Sequence, residues 1–199
     1  MCIRDWVYQT LSEVRKYKNV AIFLLAYWFY MDGIDTIVRM ATAYGSDIGL
    51  EASSMITALI LTQFVGFPST LIFGYFADKI GFKKIISIGI LIYILISIFA
   101  SRITTATEFY LMAVVVGLVM GGVQAVSRAY FSSIIPEDKE AQFFGFYNLV
   151  GKSAVVAGPA LLAWISMIFN TPRAGILGLL ILFIPGLILL WKVPTQKNS

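Results

Sequence analysis

Gly74-Tyr75-Phe76-Ala77-Asp78-Lys79-Ile80-Gly81-Phe82-Lys83-Lys84 separates two long apolar runs. Two glycines bracket an aspartate, and three lysines follow it. Glycine permits a tight turn, and lysines are concentrated on the cytoplasmic side of membrane proteins. The stretch reads as a short loop at a membrane surface, with apolar spans on either side.

Composition supports that setting. Of 199 residues, 59% are hydrophobic and 13% are charged, and there is no histidine. Soluble domains carry roughly 25% charged residues. A helical span needs about 20 mostly apolar residues to cross the hydrocarbon layer. Six such segments are expected, at 19–41, 53–76, 85–101, 108–131, 141–167 and 174–191. The third and sixth are the plainest, uncharged from Ile85 to Ser101 and from Ala174 to Trp191. Their uniform apolarity suits contact with lipid. The first, fourth and fifth carry charges inside or near their ends, which suits helices lining something polar. The fold class is therefore all-α, a polytopic membrane protein of six helices.

Basic residues give the orientation. With the amino terminus inside, the cytoplasmic segments hold Arg4, Arg15, Lys16, Lys18, Lys79, Lys83, Lys84, Lys139, Lys192 and Lys197. The outer ends hold Arg39, Arg102 and Arg173. Ten against three is a positive-inside bias that places both termini in the cytoplasm, at the cell (inner) membrane. The net charge of +4 then reflects topology, and nucleic acid is not an expected partner. Residues 1–18 are expected to be a cytoplasmic linker segment, either an amphipathic surface helix with Trp6, Val7, Leu11 and Val14 at helical spacing or a partly ordered tail. Residues 19–191 form the six-span domain, and 192–199 a cytoplasmic tail. The single cysteine, Cys2, cannot make an internal disulfide.

Charged positions within the spans mark the candidate site. Asp32, Asp35 and Arg39 share one helical face, within about 60° of arc. Trp28 and Thr36 fall near the same stripe. Asp32 lies about 19 Å from the inner end of its helix, near the bilayer centre, where a carboxylate needs a partner or water. The face reads as a substrate- or proton-binding surface in a water-filled cavity, or as an Asp35–Arg39 pair that neutralises itself. Lys152 reaches a similar depth in the fifth span, with Asn148 four residues before it. It either pairs with Asp32 or Asp35, as a gate, or contacts an anionic substrate group. Gly117, Gly121, Gln124 and Arg128 form a stripe on the fourth span. The glycines favour close helix packing, and Gln124 is a candidate cavity residue. Gln63, Thr57 and Thr62 are weaker candidates. The run Gly145–Ser153 superficially resembles a phosphate-binding loop, but it has five residues rather than four before its Gly-Lys pair. With no metal cluster and no nucleophile–base pair, neither an enzyme nor a cofactor is expected.

The order of features resembles a nested repeat of two three-helix units, each with a proline-broken second helix (Pro68, Pro159) and a plain third. The opening stretch also resembles the short cytoplasmic loop of major facilitator superfamily transporters, roughly G-x-x-x-D-[RK]-x-G-[RK]-[RK], with Phe82 as the one departure. Ala26–Gly33, Gly121–Arg128, Ile135–Tyr147, Gly151-Lys152-Ser153 and Gly158-Pro159 narrow the resemblance further. In that order they look like the carboxy-terminal half of the unknown major facilitator family, which is related to the vacuolar amino-acid effluxers of autophagy.

The resemblance runs from about Trp6 to Val193. It implies one half of an alternating-access transporter for a small solute, such as amino acids, driven by a gradient or passive. The implied partners are the lipid bilayer, a small-molecule substrate and a missing amino-terminal six-span half, in the same chain or a separate subunit. A fragment of a longer coding sequence is the expected origin. A half-transporter acting as a membrane scaffold or regulatory subunit is the alternative. The resemblance also implies that Gly74, Asp78, Gly81 and Arg128 serve conformational gating, with Asp78 and Arg128 as a latch.

Overall fold

A computed structural model describes residues 17–47 and 49–194. Eight α-helices make up the architecture of the described residues: α1 (Lys18–Asp47), α2 (Ala52–Ile80), α3 (Phe82–Ala100), α4 (Ala106–Ile134), α5 (Glu140–Ser153), α6 (Ala157–Phe169), α7 (Pro172–Gly178) and α8 (Leu180–Lys192). A short 3₁₀ turn, Glu137–Lys139, precedes α5. Taken with that turn, α5 and α6 make one span, and α7 and α8 another. Among the described residues, six segments are thus long and apolar enough to cross a membrane. The chain is a polytopic all-α membrane protein. The expected linker lies outside the described residues except for Tyr17 and Lys18, and Cys2 lies outside them altogether.

The helices end where the local chemistry dictates. Thr105 and Glu108 form a capping box at the start of α4. The Glu108 amide donates to the Thr105 hydroxyl, and the Glu108 carboxylate accepts from the Thr105 amide at 3.1 Å. This satisfies two amides that a helix start leaves unpaired. Asn170 ends α6 in the left-handed conformation, and Pro172 opens α7 at a position needing no amide donor.

Two expectations about breaks are corrected. The stretch Gly74–Lys84 is not an extended loop: α2 runs through Asp78 to Ile80, and Gly81 alone (φ 101°) makes the turn into α3. Gly74 therefore sits inside a helix. Pro68 does not break α2. The ring removes one amide donor, but α2 is braced along this stretch by α4, where the Ser69 hydroxyl bonds to the Leu118 carbonyl. The fifth span does break, at 154–156 just before Pro159, whereas Leu179, between α7 and α8, keeps helical backbone angles (φ −64°, ψ −17°) and the sixth span runs on through it.

Small residues set the closest packing, between α2 and α4. A Cβ on Gly117 would lie 2.7 Å from the Thr62 carbonyl oxygen. The Thr62 hydroxyl donates to Ala113 across the same contact, at 3.2 Å. α1 is the central element, packed against α4, α5, α6 and α8. Tyr93 of α3 stacks on Phe183 of α8 at 5.8 Å, joining the two plainest spans. Their exposed side chains are apolar, including Leu91, Leu95, Ile98, Ile181, Ile184 and Ile188.

Candidate functional site

Asp32 is fully buried in α1, no side chain bonds its carboxylate, and its polar neighbour is the Gly158 amide at the start of α6. The start of α6 presses on it. A Cβ on Gly158 would lie 2.9 Å from Asp32 Oδ1 and 1.9 Å from Thr36 Oγ1, so glycine alone fits. The Thr36 hydroxyl donates to the Asp32 carbonyl at 2.6 Å. The break in the fifth span thus brings a helix amino terminus against the buried carboxylate. The positive end of a helix dipole is a favourable neighbour for a carboxylate. Asp32 does not open onto a water-filled cavity among the described residues.

Its expected partners lie elsewhere. Asp35 is half-buried and Arg39 exposed, and no ion pair joins them. Lys152 and Asn148 are exposed on α5, and Lys152 pairs with neither aspartate. The reason is rotational. Gly151 is the α5 position turned toward α1, where the Tyr27 hydroxyl would lie 3.2 Å from a Cβ on it. Lys152, about 100° further round the helix, points away. Trp28 is half-buried with its ring edge-to-face on Phe29, 5.2 Å between centroids.

Gln124 and Arg128 are exposed on α4. The Arg128 guanidinium lies 5.4 Å above the Phe144 ring of α5, and no ion pair joins it to Asp78. The expected Asp78–Arg128 pair is not formed in this conformation. Arg128 turns toward α5, while Tyr130, two residues on, faces the α2–α3 turn. Asp78 is exposed there and lines a cavity with Gly81, Lys83, Lys84, Tyr130 and Trp191.

The sequence reading missed the aromatic seam that joins α1, α4 and α5. Tyr27 stacks on Tyr147 at 4.3 Å, Tyr147 on Phe131 at 4.8 Å, and Phe131 meets Phe144 at 5.4 Å. Beside it the Tyr30 and Ser127 hydroxyls bond at 2.7 Å, both buried. The available signal was spacing: Phe23, Tyr27 and Tyr30 recur every three or four residues, and Tyr147 follows Phe143 by four and Phe144 by three. The exposed polar residues Gln124 and Arg128 on α4, and Asn148 and Lys152 on α5, are spaced four apart on helices flanking this seam.

Comparison with known proteins adds the lineage. The profile of a family described as "vacuole effluxer Atg22 like" matches residues 4–199. The chain is 38% identical over 191 residues to an uncharacterized MFS-type transporter, YxiO, of Bacillus subtilis, covering 96% of this chain and 45% of that protein. It is 30% identical to autophagy-related protein 22 of Yarrowia lipolytica, over 95% of this chain and 34% of that protein. With the Cryptococcus neoformans protein of the same name the identity is 26%, over 94% and 36%. The chain spans less than half the length of these relatives.

Proposed function

The chain belongs to the vacuole effluxer Atg22-like family, and from that premise we propose that it forms one six-span half of an alternating-access transporter for a small solute. One observation carries the reading. Gln124, Arg128, Asn148 and Lys152 are exposed on membrane-spanning segments. A lysine or arginine at the middle of a bilayer costs about 2.5–3.5 kcal/mol on insertion scales. Exposed side chains of this kind suit a wet path or a second half, whereas the apolar exposed faces of α3 from Ile88 to Phe99 and of α8 from Ile181 to Trp191 suit lipid.

In this reading, α4 and α5 supply one wall of the solute path, and Lys152 and Arg128 offer charge to an anionic group. Asp32, buried and unpaired, is the proton carrier of a gradient-driven cycle, with Asp35 beside the path. The turn at Asp78 and Gly81 moves with the conformational cycle. Both termini are cytoplasmic. The remaining wall comes from an amino-terminal six-span half, which suits the share of its relatives that the chain covers. Amino acids are the first solute class to examine, because of the family's effluxers. The test is solute flux in proteoliposomes from the chain together with a complementing half. Flux that Lys152→Ala reduces without loss of protein supports the wall. Absence of flux for every solute class, with the halves associated, favours a scaffold or regulatory role instead.

A further inference from the structure

Gln124 and Arg128 of α4 and Asn148 and Lys152 of α5 border one groove. The Arg128 guanidinium lies over the Phe144 ring, 5.4 Å from its centre, so these two flanks face each other. At about 100° per residue, Gln124 stands roughly 40° from Arg128 on α4, and Asn148 and Lys152 stand roughly 40° and 80° from Phe144 on α5. All four side chains are exposed. The floor of the groove is the aromatic seam, where Phe131 and Tyr147 stack at 4.8 Å and fix the relative level of the two helices.

That level sorts the four residues into pairs. At about 1.5 Å per residue, Asn148 and Arg128 lie about 2 and 5 Å from it, away from the α4–α5 connection, and Lys152 and Gln124 about 8 and 11 Å. The groove therefore has two tiers, about 6 Å apart. Each tier joins one cation to one carboxamide from the opposite helix. No acid answers these charges. α4 has none beyond Glu108 in its first turn, and α5 none beyond Glu140 in its first turn. Asp32 faces the start of α6 instead, and neither Arg128 nor Lys152 has an ion-pair partner among the described residues. A charge within a span calls for a counter-charge. A carboxylate supplies it, accepting a charge-assisted bond from the cation and a second bond from the carboxamide N–H. Two tiers a few ångströms apart suit two carboxylates separated by a few carbons.

We propose that the solute is a small dicarboxylate, a simple diacid or an acidic amino acid, held with one carboxylate at each tier. The proposal rests on the reading of α4 and α5 as a wall of the solute path.

The test uses the chain with its complementing half, and reads binding by thermal shift in micelles and flux in proteoliposomes. Glutamate should raise the melting temperature saturably. Glutamine, the same shape with one charge fewer, should bind at least tenfold more weakly. Lys152→Gln and Arg128→Gln should each reduce that preference about tenfold, the scale of a lost charge-assisted hydrogen bond, at an unchanged unliganded melting temperature. Glutarate binding as tightly as glutamate would support the site and assign simple diacids; glutarate binding far more weakly than glutamate would support it and assign acidic amino acids. Saturable glutamate binding without flux would support the site while removing the transporter reading. Flux of neutral or cationic amino acids that neither glutamate nor glutarate inhibits would overturn the proposal and leave the transporter reading standing. Glutamine binding as tightly as glutamate, or an unchanged preference in both variants, would also overturn it.

Discussion

Replacing Gly158 with alanine adds one methyl group where α6 meets α1. That carbon would lie 1.9 Å from Thr36 Oγ1, which is 1.1 Å inside the 3.0 Å that real Cβ contacts respect. The Asp32 carbonyl and Oδ1, at 2.9 Å, intrude by only 0.1 Å. Most of the overlap therefore belongs to one hydroxyl. Overpacking of this kind costs about 1–3 kcal/mol. For a chain of this size each kcal/mol lowers the melting temperature by roughly 2–4 °C, so Gly158→Ala should lose about 2–12 °C. Thr36→Ala removes the obstructing oxygen. The double variant should recover most of the loss, although each single variant is destabilised. Thermal unfolding of the purified chain in micelles, followed by circular dichroism, provides all four values. Additive losses in the double variant, or an unaffected Gly158→Ala, would refute the reasoning that the start of α6 rests on the Thr36–Asp32 turn.

Two further outcomes follow from buried polar groups. Asp32→Asn replaces a fully buried, unpaired carboxylate with a neutral group of the same shape. The chain should keep or gain thermal stability, and proton-coupled flux should fall at least tenfold; unchanged coupled flux would remove Asp32 from the proton path. Tyr30→Phe deletes the 2.7 Å bond to Ser127 and strands the buried serine hydroxyl. It should cost about 1–3 kcal/mol, and adding Ser127→Ala should return part of it, as measured by the same unfolding transition.

Much of the fold was legible because bilayer physics is simple. Length and apolarity located all six spans, since a helix must satisfy its backbone internally in hydrocarbon. The breaks were less legible. Pro68 and Pro159 look alike as letters. One is carried through by the close α2–α4 packing, and the other follows a real interruption. The candidate polar residues could be picked out as residue types, but their directions could not. Whether Gly151 or Lys152 faces α1 depends on 100° of rotation, which tertiary packing sets. Arg128 turns to the Phe144 ring and Tyr130 to the α2–α3 turn for the same reason. The aromatic seam was passed over because tyrosines near span ends are usually interface anchors.

The most direct measurement exchanges this chain for the segment it matches in the Bacillus subtilis relative. Solute counterflow is then followed in proteoliposomes with an amino-acid mixture, with and without Lys152→Ala. The expected result is saturable counterflow that Lys152→Ala reduces at least tenfold while protein level and melting temperature hold. Counterflow unaffected by Lys152→Ala, Gln124→Ala and Asn148→Ala alike would contradict the assignment of α4 and α5 to the solute path.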